Sequence, residues 1–356
     1  MSTSTSTAIA GSTRMASEIA EQPDAVRRTL EHLLPEQERL RAAFAGRRRV
    51  LLVARGSSDN AATYGRYLLE VSSGVPAALA APSVATHYRA RLDLSDALVV
   101  SVSQSGATAE IVETQAWAAS CGATTVAISN VAGSPLVDAA EVALVTQAGP
   151  EVAVPATKTY LTQLVALAVL ADALGTGPSL AAELARVPDE VEGLLGADVS
   201  AAAEALASAG RVVVSGRGLL LGTALETALK MEETCLRPVR GYSYADLRHG
   251  PISVVSEGLL AVLVASASGP LAEPMADLVR DLQERGAHVL GIGGTRDFAR
   301  GCDLHLAGPD LPEVVEPLAS IVPAQRMIEQ MARRLGLDPD NPRGLDKVTQ
   351  TERNHR

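Results

Sequence analysis

The stretch that decides the fold is residues 97–110, ALVVSVSQSGATAE. Its apolar start passes into a polar turn that contains Ser103, Ser105, Gly106 and Thr108, and a helical pattern follows. A strand that enters a helix through such a turn directs hydroxyls and free backbone N–H groups at one point, with the positive end of the helix dipole behind them. The pattern therefore predicts a strand–turn–helix unit with an anion site, and phosphate is the anion that suits it best.

The same turn has a simpler interpretation, in which one Ser or Thr only caps the helix that follows. A cap needs a single hydroxyl, whereas the residues from Ser101 to Thr108 offer four hydroxyls and the Gln104 amide. We therefore favour the anion site over the plain cap.

Composition limits the classes of protein that this chain can be. Its 356 residues are enough for two domains with separate cores, and aromatic residues make up only 3%, so Ala, Val and Leu must fill those cores. A formal net charge of -10 argues against a nucleic-acid partner or an anionic membrane. Local geometry, and not a basic surface, must therefore hold any phosphate.

The cysteines and the lengths of the apolar segments predict the compartment in which the protein is found. Cys121, Cys235 and Cys302 match no metal or redox spacing, which predicts buried thiols in a reducing compartment and no metal site. No segment is as long as a membrane span, and the first residues lack the features of a secretory signal. We expect a cytoplasmic protein without a membrane partner.

The second half of the chain repeats the first at an almost constant distance. Three landmarks recur at offsets of 162, 163 and 164 residues: Gly56 and Gly218, Ser103 and Ser266, and Gly122 and Gly286. A constant offset of this kind indicates a duplicated domain. The second copy has Ala267 in place of Gln104 and Leu271 in place of Thr108, so we assign the anion site to the first copy.

Strands that alternate with helices predict an α/β fold of two tandem domains. Each is expected to be a parallel-sheet, three-layer αβα sandwich of flavodoxin-like type, with ligands at the carboxyl ends of the strands. The predicted division is a disordered tail (1–14), a helical segment (15–44), a first domain with the anion site (45–195), a second domain (196–340) and a C-terminal tail (341–356).

Five sequence blocks carry a further signal. They are SVSQSGATAE, AGPEVAVPATKTY, ALKMEE, ADLRHGP and NPRGLDKVTQT, in this order along the chain. Together they resemble the double sugar isomerase (SIS) domain family, and within it the isomerase half of the glutamine–fructose-6-phosphate aminotransferases and the free-standing aminosugar-phosphate deaminases and isomerases. The resemblance implies that two SIS domains account for the fold and that the C-terminal tail reaches an active site.

The resemblance also implies where a phosphosugar binds. It assigns the phosphate to Ser103, Gln104, Ser105 and Thr108, and the sugar to Ser57, Ser58 and Val154. Lys158 lies between two threonines, where it could either hold its loop or neutralise the phosphate. Ser57 and the Pro155-Ala156 pair depart from the family pattern, which has Thr and Ala-Ser there.

Three further residues would carry the chemistry. The resemblance makes Glu233 the base that moves a proton between C1 and C2, and His249 the ring-opening group, which would enter the neighbouring site of a homodimer. It makes Lys347 the tail lysine beside the substrate carbonyl. Asp346 replaces a small residue before that lysine, and a carboxylate there favours the charged ammonium over a Schiff base. Without the resemblance, Glu233, His249 and Lys347 would be interpreted as ordinary solvated side chains.

These residues suit one reaction, the aldose–ketose isomerisation of a 6-phosphosugar. Histidine can open the sugar ring near neutral pH, and a partly desolvated glutamate can take and return the proton. Neither step requires a metal or a cofactor. We expect an aminosugar-phosphate deaminase or isomerase of glucosamine-6-phosphate type, without the glutaminase activity that needs a further domain and an N-terminal cysteine nucleophile. A fructosamine-6-phosphate deglycase and a non-catalytic sugar-phosphate-binding regulator are the alternatives.

Overall fold

The computed structural model describes residues 12–347, which form two compact units. The first unit comprises residues 22–151 and 158–188, and the second unit comprises residues 12–21, 152–157 and 189–347. Most of the predicted disordered tail and the end of the predicted C-terminal tail lie outside the described residues. Of the former, Thr13 is the N-cap of the first helix, and its side chain accepts a hydrogen bond from the Ala16 N–H.

Helices and strands alternate along the first half of the chain, as the sequence predicts. The elements are α1 (Arg14–Ala20), α2 (Gln22–Leu33), α3 (Gln37–Phe44), β1 (Arg49–Val53), α4 (Ser57–Leu68), β2 (Ala77–Leu79), α5 (Pro82–Thr86), β3 (Ala97–Val102), α6 (Ala109–Ser120), β4 (Thr124–Ser129), α7 (Pro135–Asp138), β5 (Val142–Val145) and α8 (Lys158–Leu174). Short 3₁₀ and π-helical turns follow α2 and α4.

The second half repeats this alternation. Its elements are α9 (Ala181–Leu195), α10 (Ser200–Ser208), β6 (Arg211–Gly216), α11 (Leu221–Cys235), β7 (Arg240–Ser243), α12 (Tyr244–Arg248), β8 (Leu259–Ala265), α13 (Ala272–Gln283), β9 (His288–Gly293), α14 (Arg296–Gly301), β10 (Leu304–Leu306) and α15 (Pro317–Arg334). Short 3₁₀ turns precede α11 and follow α12.

Each unit is built on one parallel five-stranded sheet. The strand order is β2-β1-β3-β4-β5 in the first sheet and β10-β9-β8-β6-β7 in the second, and these orders are the same when strands are matched in chain order. Every residue of the central strands β3 and β8 is buried, because helices cover the sheets on both faces. The predicted α/β fold with two parallel sheets flanked by helices is confirmed, and its strand order is the flavodoxin-like one.

Two helices begin at polar residues that precede their first apolar residues. Helix α4 begins at Ser57, directly after Gly56, whose φ of 57° reverses the chain. Helix α8 begins at Lys158 because the Glu151 carboxylate accepts hydrogen bonds from the Thr159 N–H and hydroxyl, at 3.1 and 2.5 Å. Both starts depend on local polar contacts, which hydrophobic periodicity does not detect.

Candidate functional site

The turn after β3 is the candidate anion site of the first unit. The Ser103 Oγ is buried and lies 3.5 Å from the Thr108 Oγ1. Thr108 is the N-cap residue of α6, but its side chain caps no N–H group of the helix. Within residues 12–347, no protein atom accepts a hydrogen bond from the backbone N–H groups of Gln104, Ser105 and Thr108. These hydroxyls and N–H groups remain available to a ligand, which a plain helix cap does not explain.

The shape of this turn depends on Gly106. Its φ is +61°, and an added Cβ would lie 2.1 Å from the Ser134 Oγ, so only glycine fits. The carbonyl of Gly106 accepts a hydrogen bond from the Leu136 N–H at 3.0 Å, and the carbonyl of Gln104 accepts one from the Asn130 N–H at 3.1 Å. The turn is therefore held in place before any ligand binds.

A second polar turn lies at the same edge of the first sheet. Strand β1 pairs with β3, and their register places Val53 opposite Ser101, so the turns that follow both strands are neighbours. Ser57 is half-buried and Ser58 is buried at the start of α4. These serines and the anion turn thus share one ligand edge, as expected for parallel α/β sheets.

An ion pair links the two turns. The Arg55 guanidinium donates two hydrogen bonds to the Glu110 carboxylate, from Nε at 3.0 Å and from a terminal nitrogen at 2.9 Å. Glu110 lies in the first turn of α6, where its negative charge would otherwise repel an anionic ligand. Arg55 therefore neutralises this carboxylate.

The sequence suggested that Lys158 lies in a loop. In the structure it is the first residue of α8. Its side chain is completely buried. Its two predicted roles, holding the chain or neutralising phosphate, remain predictions.

Glu233, the predicted base, lies on α11 in the second unit and is part of a charged triad. The Lys230 ammonium donates to the Glu233 carboxylate and lies 3.4 Å from the Glu226 Oε1. Lys230 and Glu226 are fully buried, whereas 23% of the Glu233 side chain is exposed. Burial alone would lower the pKa of Lys230, but the attraction of Glu226 and Glu233 outweighs it and raises that pKa.

Sequence reasoning missed Lys230 and Glu226. Their spacing was the available signal, because residues four and then three apart along α11 lie on one helix face, as Glu226, Lys230 and Glu233 do. The neighbouring Glu232 is exposed on another face. A fixed ammonium beside a half-buried carboxylate holds Glu233 in one orientation, which suits a proton-transfer group.

The other predicted residues of the second unit lie on two segments. His249 is the C-cap residue of α12 and is exposed. The Lys347 Nζ donates to the carbonyls of Ala153 and Val154, at 2.6 and 3.5 Å. The Val154 N–H in turn donates to the Asp340 carbonyl at 2.8 Å. The structure thus brings Lys347 and Val154 together.

The predicted site residues divide between the two units. The first unit contains Ser57, Ser58, Ser103, Gln104, Ser105, Thr108 and Lys158, and the second contains Val154, Glu233, His249 and Lys347. Among residues 12–347, no group of three or more His, Cys, Asp or Glu side chains could hold a metal ion. In the same range, no helix is long and apolar enough to cross a membrane.

The turn after β8, which corresponds to the anion turn, holds a carboxylate of the chain itself. The Ser266 hydroxyl donates to the Glu316 Oε2, and the Ala267 N–H donates to the Glu316 Oε1 at 3.3 Å. Glu316 is fully buried. Burial raises the pKa of Glu316 from 4.5 to about 7, although the hydrogen bonds from Ser266 and Ala267 act in the opposite direction.

This shift predicts a pH dependence of stability. The folded protein holds the Glu316 proton more tightly than the unfolded chain, so the stabilisation is complete below pH 4.5 and is lost as the pH rises through about 7. In the wild-type protein, the free energy of unfolding should fall by up to about 3 kcal/mol between pH 5 and pH 8, and Glu316→Gln should remove this fall. Urea unfolding of both proteins at these pH values measures the difference. Identical pH profiles would show that Glu316 does not titrate in this range.

Comparison with known proteins shows the family to which the chain is similar. The SIS domain model matches residues 43–173 and 205–332. The chain is 35% identical, over 362 residues, to a glutamine–fructose-6-phosphate aminotransferase (isomerizing) of Symbiobacterium thermophilum. That match covers 95% of this chain but only 59% of the relative, so the chain spans about three fifths of the relative's length.

Solved structures resemble the chain over most of its length. A protein of Silicibacter pomeroyi DSS-3 described as a phosphosugar isomerase has a TM-score of 0.85 and 35% identity, with 92% of this chain and 100% of that chain covered. A glucosamine-6-phosphate deaminase of Thermotoga maritima has a TM-score of 0.76 and 25% identity, with 95% and 100% covered.

Proposed function

Because the chain belongs to the SIS domain family, we propose that it is an enzyme that isomerises a 6-phosphosugar between aldose and ketose forms. The preferred substrate is an aminosugar phosphate of glucosamine-6-phosphate type. With that substrate, isomerisation moves the C2 proton to C1 and leaves an imine at C2, and water then replaces the nitrogen to give the ketose phosphate and ammonia. The names of the aminotransferase and deaminase relatives support this choice of substrate.

The observation that best supports a phosphate site is the bound carboxylate in the second unit. There, a buried serine hydroxyl and the next backbone N–H together hold the two oxygens of Glu316. Ser103 and Gln104 occupy the corresponding positions in the first unit, where no acceptor among residues 12–347 is bonded to the Gln104 N–H and the Ser103 hydroxyl contacts only that of Thr108. The first turn therefore has the donors that an external phosphate needs.

The phosphate gives binding energy and fixes the position of the reacting carbons. It lies far from the bonds that change, so its contacts hold the substrate equally well before and during the reaction. In this proposal Ser103, Gln104, Ser105 and Thr108 bind the phosphate, while Ser57, Ser58 and Val154 contact the sugar. Lys158 contributes positive charge to the first unit.

Glu233 takes the C2 proton and returns it to C1 in the proposed mechanism. Its carboxylate is half-buried and is held by Lys230, so one base can serve both carbons. Lys347 places an ammonium beside the substrate carbonyl, where it stabilises the enediol oxygen. The Lys347 contacts with the carbonyls of Ala153 and Val154 fix its position.

His249 is the proposed ring-opening group, and the proposal includes a homodimer in which it enters the neighbouring site. Its exposure in the single chain supports this arrangement. His249→Asn should slow turnover of the cyclic sugar by about two orders of magnitude, because the acid/base group of ring opening is lost. An open-chain substrate analogue should react at the wild-type rate. Equal slowing of both substrates, measured by steady-state kinetics, would remove His249 from ring opening.

Glutamine hydrolysis is not part of the proposed activity. Burial raises the pKa of the Cys235 thiol to about 11 and that of the Cys302 thiol to about 12, so neither forms a thiolate readily. These two thiols are therefore poor candidates for the nucleophile of a glutaminase.

A panel of phosphosugars tests the proposed function. Glucosamine 6-phosphate, galactosamine 6-phosphate, fructosamine 6-phosphate and glucose 6-phosphate are incubated with the protein, and ammonia and the isomerised sugar are measured. We expect ammonia and a ketose phosphate from one of the two 2-amino sugars. Ammonia or another nitrogenous product only from fructosamine 6-phosphate would instead indicate a deglycase.

A further inference from the structure

The turn after β8 has the features of an anion site and is filled from within the chain. Ser266 is buried, and the Glu316 carboxylate accepts hydrogen bonds from its hydroxyl and from the N–H of Ala267. The Ser268 N–H donates to the Ser266 Oγ at 3.2 Å, which turns that hydroxyl toward the carboxylate. Both oxygens of the Glu316 carboxyl group thus accept hydrogen bonds in the turn that precedes α13.

A second carboxylate closes the same turn. Gly269 has a φ of +85°, and an added Cβ would lie 2.0 Å from the Glu313 Oε2. Burial raises the pKa of Glu313. Together, the side chains of Glu313 and Glu316 fill the space beside the turn where a phosphate would have to lie.

The segment that follows the fifth strand is used differently in the two units. Both halves contain an Ala-Gly-Pro-acid sequence after the fifth strand, at residues 148–151 and 307–310. In the first unit its acid, Glu151, binds Thr159 at the start of α8. In the second unit, Glu316 follows that sequence closely and binds in the turn. Within residues 12–347, no carboxylate is bonded to the hydroxyls of Ser103 or Thr108.

We propose that the turn after β8 is a second anion site that the Glu316 side chain permanently occupies, so that each chain binds one phosphate-bearing ligand and not two. The occupied site rests on the contacts of the second unit alone. The count of one ligand per chain also rests on the proposed function, because it includes the open turn after β3.

Inorganic phosphate is the probe that tests this proposal, with binding measured by isothermal titration calorimetry on the full chain. The first turn is disabled by Ser105→Ala and Thr108→Val, so that only the second turn is observed. With Glu316 intact, this chain should bind no phosphate. Adding Glu316→Ala should create one saturable site per chain. Further addition of Ser266→Ala should weaken that site by about tenfold or more, the worth of a hydrogen bond to a charged group.

Two variants control for shape and folding. Glu316→Gln keeps a side chain of the same size in the turn, so it should not create a phosphate site. Glu316→Ser keeps a preferred N-cap residue at the start of α15 and should open the site as Glu316→Ala does, even if the alanine variant is unstable.

Either of two results would overturn the proposal. One is a folded Glu316→Ala or Glu316→Ser protein that binds no phosphate. The other is phosphate binding with Glu316 intact that Ser266→Ala abolishes. Failure of the proposed function is read separately, from the absence of phosphosugar turnover in the wild-type protein.

Discussion

Glu233→Gln should lower the turnover of the 6-phosphosugar by about two to four orders of magnitude, the usual worth of general acid–base catalysis. The amide keeps the shape of the side chain but cannot accept the C2 proton. Lys230 retains its contact with Glu226, so the fold of α11 should persist. Steady-state kinetics and a direct binding measurement distinguish the loss of chemistry from the loss of affinity, because the phosphate contacts are untouched.

The neighbouring glutamate provides a matched control for this prediction. Glu232 is next to Glu233 in the sequence but is exposed to solvent. Glu232→Gln makes the same chemical change and should leave turnover within about twofold of wild type, as is usual for exposed positions. If the two variants lose activity equally, or if Glu233→Gln keeps the wild-type rate, then the base is another residue.

Ser105→Ala combined with Thr108→Val should raise KM by about two to four orders of magnitude. Each change removes a hydrogen bond to a charged phosphate, worth roughly 1.5–3 kcal/mol. The turnover number should change much less, because the phosphate binds alike in the ground state and the transition state. The measurement is the dependence of rate on phosphosugar concentration.

The matched control is the corresponding pair in the second turn. Ser266→Ala with Ser268→Ala should leave KM nearly unchanged. It should instead lower the free energy of unfolding, because Ser266 donates to the buried Glu316 carboxylate. Equal increases in KM from both pairs would contradict the assignment of the phosphate to the first turn.

The fold could be predicted from the sequence because its signals are local and repeated. Apolar runs such as β3 are followed by glycine-bearing turns, and the constant offset between the two halves indicates the duplication. The first residues of α4 and α8 could not be predicted with the same accuracy. They depend on the conformation of Gly56 and on the hydrogen bonds from Thr159 to Glu151, which apolar periodicity does not record.

The candidate site was predictable only in part. The anion turn is a contiguous motif, and its hydroxyls are recognisable from the sequence alone. The contact between Glu316 and Ser266 joins residues 50 positions apart, so no local pattern indicates it. The role of Lys230 was detectable from helical spacing, but its burial between Glu226 and Glu233 depends on the packing of α11.

The fate of the C2 hydrogen tests the central claim most directly. The wild-type protein is incubated with a glucosamine 6-phosphate that carries deuterium at C2, and the label is followed by NMR. A proton-transferring isomerase should remove the label from C2 at the rate of turnover, either to C1 or to the solvent, and Glu233→Gln should abolish this loss. If the wild-type protein binds the 6-phosphosugars but the label stays at C2 in both glucosamine 6-phosphate and the equally labelled galactosamine 6-phosphate, the proton-transfer claim is wrong and the sugar-phosphate-binding regulator is favoured.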